Sequence, residues 1–311
     1  MRWTNILCLV YCGYLIQESV CGGYQDKGNP YHDGPLETQE QTIAASQDNS
    51  PLHAKVFAPV VKGDYSAVFF VGGLNGYIPV EAYQIVQQKI ASHGFVVIGV
   101  DYKYPLLRNS SLEENEELDQ DLNKFFDELT WLKSHLSNLM QVNILWNQTS
   151  LMCHSSGCDV TIRMIRMNSA LFRATVFLEP MSLDVKPVNV TLPALMYGTQ
   201  LSEEGVLKCC IPGYDYKKFF DIWQCPKIKM EVADFGHCDI LDQIPWEGCH
   251  AIHFCKTTND TRLVEYRQFV QGVVSAFTIG YTQGWPPALN YIENRTNVPL
   301  KLLDFDAQLS C

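Results

Sequence analysis

Short runs of β-branched and aromatic residues alternate along this chain with longer stretches whose apolar positions recur at helical spacing. Val68 to Val71 is such a run; it stops at Gly72-Gly73 and is followed by a helical pattern from about Val80 to His93. Phe95 to Val100 repeats the first signal after Gly94. A loop over Asp101 to Ser111 then leads into a helical pattern from Asp119 to Leu136. Ser150 to Cys153 runs into His154-Ser155-Ser156-Gly157, and Val160, Ile162, Met164 and Ile165 continue as a helix. Ala174 to Leu178, Ala194 to Tyr197 and Lys229 to Val232 are further strand candidates. Strands that alternate with helices predict an α/β protein, with a mostly parallel central sheet and helices on both faces. On such a sheet, chemistry collects at the carboxyl ends of the strands.

The ends of the chain read differently. Arg2, an apolar run from Ile6 to Ile16 and small residues around Ser19, Cys21 and Gly22 have the build of a signal peptide over residues 1–22. That run is too short to span a bilayer, and no later stretch is long enough, so a secreted, extracellular product without a transmembrane segment is expected. Asn109, Asn147, Asn189, Asn259 and Asn294 each open an N-x-Ser/Thr triplet without proline, which marks exposed glycosylation sites. The expected division is a lead segment over 23–52, one α/β domain over 53–285 and a tail over 286–311.

Composition narrows the function class. At 47% hydrophobic and 18% charged residues the chain has material for one large core and is neither disordered nor membrane-embedded. A formal net charge of −11 argues against the basic surface that nucleic acid or an anionic membrane would require. Part of that acid, from Glu113 to Asp121, reads as the solvated start of the helix that carries Phe125, Leu129 and Leu132. Of twelve cysteines, Cys8, Cys12 and Cys21 fall in the leader, and the odd number remaining requires at least one thiol unpaired within the chain. Cys209, Cys210, Cys225, Cys249 and Cys255 crowd the last third, where a local staple such as Cys249 with Cys255 is plausible. A zinc set of Cys249, His250, His253 and Cys255 matches no standard finger spacing, and no metal is assigned.

Four turns at strand ends carry the candidate chemistry. Cys153-His154-Ser155-Ser156-Gly157 places a serine between a buried strand and a helix, as a nucleophile elbow requires, although Cys153 stands where the G-x-S-x-G pattern has glycine and must fit as a small side chain. Asp234-Phe235-Gly236-His237-Cys238-Asp239 sets His237 on a late loop, where nucleophile, acid, histidine order puts the base. His154 is expected to line the site, since adjacent residues at a tight elbow point apart. Glu179, at the end of the next strand, is the candidate acid, with Asp184 in reserve; Tyr197-Gly198-Thr199-Gln200 offers no aspartate. Val71-Gly72-Gly73-Leu74-Asn75-Gly76 lacks the lysine of a phosphate loop, and its Leu74 amide with that of Ser156 forms the expected oxyanion hole.

These residues resemble the chlorophyllase family of α/β-hydrolases over most of the body, from Val68 to Asp306. Asp234 to Asp242 is similar to the family's D-Y-G-H-x-D-M-L-D. Ile90 to Val97, Cys210-Ile211-Pro212 with Lys218-Phe219-Phe220, and Cys255-Lys256 with Arg267-Gln268-Phe269-Val270 accompany it. Ser155 and His237 fall on the family's serine and histidine, and Glu179-Pro180 stands where the family has aspartate before proline. The family's G-H-S-R-G-G is here Cys153 to Cys158. The resemblance implies an α/β-hydrolase fold and a serine ester hydrolase without cofactor, acting on a small hydrophobic ester with a long alkyl or isoprenoid alcohol. Leu74, Tyr77, Ile78, Tyr104, Leu106 and His154 are the expected pocket residues. The contrasting expectation is a secreted binding or matrix protein that keeps the fold without the reaction.

Overall fold

In the computed structural model, residues 28–103, 116–183, 185–204, 208–253 and 255–310 are described, those from 116 to 121 by their backbone alone. The signal-peptide reading, Tyr104, Leu106, Asn109 and Asp184 lie outside the described residues.

Nine strands form one sheet: β1 (Thr38–Ile43), β2 (Ala54–Pro59), β3 (Asp64–Val71), β4 (Phe95–Val100), β5 (Asn143–His154), β6 (Ala174–Leu178), β7 (Ala194–Thr199), β8 (Lys227–Val232) and β9 (Leu302–Gln308). Their spatial order is β1-β2-β4-β3-β5-β6-β7-β8-β9. The six strands from β4 to β8 are parallel, and β1, β2 and β9 pair antiparallel at the two edges. Residues in the expected lead and tail segments therefore belong to the sheet. The reason is chemical: Thr38–Ile43 is polar up to Ile43 and Leu302–Gln308 alternates apolar with polar from Leu303 onward, so neither half-exposed edge strand gives a continuous apolar run.

The helices follow the strands: α1 (Gly73–Gly76, a single turn), α2 (Gln84–Ser92), α3 (Glu116–Met140), α4 (Gly157–Asn168), α5 (Tyr216–Ile222), α6 (Gln243–Ala251), α7 (Leu263–Tyr281) and α8 (Asn290–Glu293). The predicted helix from Val80 splits in two. A 3-10 turn occupies Val80–Tyr83, and α2 begins only at Gln84, where the Asp242 carboxylate accepts the Gln84 and Ile85 amides.

Side chains alternate across the central strands into two apolar layers. Val68 and Phe70 of β3 join Phe95 and Val97 of β4 beneath α2 and α7, while Ala67, Phe69, Val96 and Ile98 point the other way, toward α3, α4 and α5. Burial on both faces is what the near-continuous apolar runs encode. Because the central strands are parallel, the ends of β3, β5, β6, β7 and β8 share one edge of the sheet.

Two close approaches define that edge. A β-carbon on Gly157, where β5 turns into α4, would lie 2.2 Å from the Gly72 carbonyl oxygen, so the turn after β3 packs backbone to backbone on the turn after β5. The turn after β8 is held from within by the fully buried Asp239 carboxylate, which accepts the Gly236 amide (2.7 Å), the Trp246 indole N–H (2.8 Å) and the Thr258 amide (3.0 Å). Burial pushes the Asp239 pKa up to about 6 despite these donors.

Gly157→Ala is expected to cost about 1–3 kcal/mol in urea unfolding through overpacking; unchanged stability would contradict the close approach. Asp239 binds its proton more tightly folded than unfolded, so its contribution is complete below its ordinary value of 3.8 and declines as pH rises to about 6. Across that window wild type should lose roughly 3 kcal/mol relative to Asp239→Asn, which cannot titrate. Parallel stability profiles for the two proteins would refute this account of Asp239.

Candidate active site

Backbone strain concentrates at this edge. Ser155 (φ 56°), Glu179 (φ 46°), Leu74 (φ 48°), Asn75 (φ 50°) and Asp234 (φ 69°) all adopt left-handed conformations in turns that follow β5, β6, β3 and β8. Such a conformation costs on the order of 1–3 kcal/mol for a residue with a side chain, and persists where surrounding contacts impose it. Here those contacts are specific. The Ser155 amide donates to the Leu178 carbonyl (3.1 Å), and the Ser155 carbonyl accepts from Cys158 and Met181 (both 3.1 Å), so the elbow is fixed to α4 and to the turn that bears Glu179.

The strained turns bring three side chains together. His237 Nε2 lies 2.8 Å from Ser155 Oγ. On the far side of the ring, His237 Nδ1 lies 3.4 Å from Glu179 Oε2, an electrostatic contact longer than a well-formed hydrogen bond. Ser155 and His237 are nearly buried and Glu179 is fully so.

Glu179 has its own cradle. Oε2 accepts the hydroxyls of Thr199 (2.6 Å) and Ser202 and is approached by the Cys210 thiol (3.8 Å), while Oε1 faces the Tyr266 hydroxyl at 3.4 Å. Burial alone would raise the pKa of this carboxyl. The contact with His237, the nearby His154 ring and the Ser202 hydroxyl together bring it below the ordinary glutamate value, so the group is anionic. Burial, and then the charge of Glu179, push the Cys210 thiol well up, which keeps it protonated.

His154 sits within the site, its ring 4.5 Å from that of His237 and almost wholly buried. Burial first, and the adjacent His237 second, push its pKa down to about 3, so it is a neutral imidazole. The Tyr83 hydroxyl accepts the Gly73 amide (2.9 Å), which leaves its proton for His154 Nδ1 (3.0 Å) and sets the ring proton on Nε2.

The turn after β3 packs on the elbow. Gly73 and Asn75 amides are engaged, by Tyr83 and by Ser156 Oγ (2.9 Å) respectively, whereas neither the Leu74 nor the Ser156 amide has a partner among the described residues. Both are therefore available to an incoming oxygen. Tyr77 is half exposed above this turn and Ile78 packs against the core.

The cysteines depart from the sequence expectation. Cys249 pairs with Cys238 and Cys255 with Cys209, so Cys249 does not join Cys255, and neither sulfur is open to zinc. Sequence spacing missed these pairs because Cys209 meets Cys255 only when the segments after β7 and β8 fold together, while Cys238 meets Cys249 only once α6 folds back on the turn after β8. Cys153, expected as a tolerated small residue, is bonded to Cys158 across the elbow, Cys225 is also disulfide-bonded, and Cys210 is the free thiol among the described residues. Two other ligand-type clusters occur among the described residues. In the His154, Glu179 and His237 cluster, His154 Nδ1 and His237 Nε2 already hold hydroxyls. In the other, His53 is paired with Glu81 at 2.6 Å and Asp101 Oδ1 accepts the Val80 amide.

The structure brings the expected Ser155, His237 and Glu179 together; sequence reasoning did not single out Thr199, Ser202 and Tyr266, which contact Glu179, or Tyr83, which contacts His154 and the Gly73 amide. Thr199 was legible in principle, as a polar residue at the end of a buried strand. Tyr83 and Tyr266 read as core aromatics, and nothing in their local pattern marks a hydroxyl aimed at the site.

A family model described as Chlorophyllase matches residues 27–181 and 172–308 of this chain. The chain is 27% identical over 272 residues to Chlorophyllase-1 of Arabidopsis thaliana, covering 78% of this chain and 81% of that protein. It is 23% identical over 319 residues to Chlorophyllase-2 of the same plant, covering 89% and 97%. Cutinase est1 of Thermobifida alba is 27% identical over 186 residues, covering 56% of this chain and 59% of that protein. Matched along nearly its whole described length, and folded on a mostly parallel sheet with helices on both faces, the chain belongs to the chlorophyllase family of α/β-hydrolases.

Proposed function

We propose that this protein is a secreted serine carboxylic-ester hydrolase that cleaves a hydrophobic ester through Ser155, His237 and Glu179. The observation that carries the reading is the 2.8 Å contact between Ser155 Oγ and His237 Nε2 at a strained strand-to-helix turn, with a buried anionic carboxylate behind the imidazole.

The chemistry follows from the geometry. His237 Nε2 takes the Ser155 proton as Oγ attacks the ester carbonyl, and Glu179 stabilises the imidazolium that results. Charge that develops on the carbonyl oxygen is met by the Leu74 and Ser156 amides, each worth about 3 kcal/mol of barrier. The imidazolium then protonates the departing alcohol, and water, deprotonated by the same ring, releases the acid from the acyl-enzyme. Neutral His154 does not compete for the serine proton, because burial holds its pKa near 3. Exposed Leu74 and Tyr77 give the mouth of the site an apolar character, which suits a hydrophobic acyl or alcohol group and agrees with relatives named chlorophyllase and cutinase.

Secretion is supported by the leader-like amino terminus, by the disulfides Cys153–Cys158, Cys209–Cys255 and Cys238–Cys249, and by exposure of Asn147, Asn189, Asn259 and Asn294 at their glycosylation triplets. Asn147 is presented at an irregularity within β5 rather than on a loop. Among the described residues, no helix is long and apolar enough to cross a membrane.

Purified protein should hydrolyse p-nitrophenyl esters, and Ser155→Ala should remove turnover while leaving the fold intact. Absence of hydrolysis across short and long acyl chains would favour a binding protein on this fold. Glu179→Gln should lower kcat by about 10²–10⁴-fold, because the imidazolium loses its counter-charge. Glu179→Asp, whose shorter arm cannot reach His237, Thr199 and Ser202 together, should fall between that variant and wild type. A Glu179→Gln protein with wild-type kcat would move the acid to another carboxylate, with Asp184 the next candidate.

A further inference from the structure

The elbow of this chain is closed covalently. Cys153 is the penultimate residue of β5, paired in register with Val71 of β3 on one side and Phe177 of β6 on the other. Cys158 is the second residue of α4. Their disulfide joins Cα atoms 5.1 Å apart and encloses His154, Ser155, Ser156 and Gly157 in one small ring. Both cysteines are fully buried, on the face of the sheet that α4 covers.

The ring holds the parts on which acyl transfer would depend. Ser155 stands in it at φ 56°, and the unpartnered Ser156 amide belongs to it. Ser156 Oγ also accepts the Asn75 amide at 2.9 Å, which couples the ring to the turn that bears Leu74. In the pattern that the chain resembles, G-H-S-R-G-G, glycine stands at both outer positions. Here both have become cysteine together, and a single replacement would have left a buried thiol without a partner. The left-handed reversal itself falls on Ser155, and glycines at the outer positions would leave the elbow more freedom in the unfolded and loosened chain. A cross-link permits the same reversal and removes that freedom.

We propose that the Cys153–Cys158 disulfide is a positioning element for the elbow, holding Ser155 Oγ in reach of His237 and the Ser156 amide on the oxyanion. The proposal rests on the esterase reading for its catalytic consequence, while its structural content, a covalently restrained elbow, stands independently. The two cysteines do not touch substrate and act through Ser155 and Ser156.

The test is the double variant Cys153→Ala/Cys158→Ala of the full chain, secreted and purified as the wild type is. Three quantities are read: kcat and KM on a p-nitrophenyl ester, the rate constant for phosphonate labelling of Ser155, and amide hydrogen exchange resolved to peptides spanning 154–158. Displacement of a reacting group by about 1 Å can cost 10²-fold in rate. The expected result is a kcat and a labelling rate lowered about ten- to a hundred-fold with KM within about threefold, and faster exchange confined to the elbow peptides. Simple loss of global stability would leave kcat per folded molecule unchanged and would raise exchange throughout. A folded variant with kcat and labelling within twofold of wild type and a slowly exchanging elbow would overturn the proposal.

Should the alanine pair not fold, Cys153→Gly/Cys158→Gly, which restores the glycines of the family pattern, is read in the same way. Failure of both pairs to fold would also overturn the proposal, since the bond would then be a requirement for folding and not for positioning. If wild-type protein neither turns over nor labels, the esterase reading fails, and elbow exchange in the variant still decides whether the clamp exists.

Discussion

A serine that follows a buried strand and starts a helix has to reverse the chain within one residue, and the left-handed backbone of Ser155 is that reversal. The constraint reaches outward. It requires Gly157 to have no side chain, because the turn after β3 lies against it, and it requires the carbonyls of Ser155 and Leu178 to be satisfied by neighbouring turns. Once the reversal is fixed, the hydroxyl stands above the parallel strands, where His237 from the turn after β8 meets it and Glu179 at the end of β6 stands behind the imidazole. The site is thus a product of sheet topology, and the local strain is borne by packing beneath it.

The acid illustrates how the surroundings compensate for a changed side chain. Glutamate is one methylene longer than the aspartate of the family pattern, and its backbone is itself left-handed at φ 46°. The carboxylate is gripped by Thr199 and Ser202 and faces Tyr266, and these contacts together with His237 hold it anionic against a burial that by itself would neutralise it. The disulfides reinforce the same loops. One brackets Ser155, one starts beside His237 at Cys238, and one starts at Cys209, next to the thiol that approaches Glu179. In an acidic chain assembled from long-range parallel strands, covalent links at each participating loop restrict the excursions that would separate the three side chains.

Sequence made the central strands legible because burial on both faces writes them as uninterrupted apolar runs, and the order serine, glutamate, histidine after β5, β6 and β8 pointed to the candidate site. Strand β2 was not read because Lys55 interrupts an otherwise apolar run, and the edge strands β1 and β9 were not read because polar residues such as those of Leu302–Gln308 resemble any exposed segment until a neighbour is known. The cysteine pairs were not legible for the same reason. Cys209 and Cys255 lie 46 residues apart and Cys238 and Cys249 only 11, and the choice between partners is made by tertiary structure. Cys153 and Cys158, five residues apart around a predicted sharp turn, were legible in principle, but Cys153 was read only as a tolerated small residue. The hydroxyls of Tyr266, which faces the acid, and Tyr83, which sets the His154 ring, escaped because both residues carry the same local signature as residues that merely fill the core.

The central claim is that Ser155 is acylated. Rapid acid quenching of a reaction with a slowly deacylating p-nitrophenyl ester, followed by peptide mass mapping, reads this directly. The account predicts the acyl mass on the peptide that contains Ser155, at a stoichiometry that grows with the burst of nitrophenol. Hydrolysis that proceeds with the acyl mass on another residue, or on none, would contradict it.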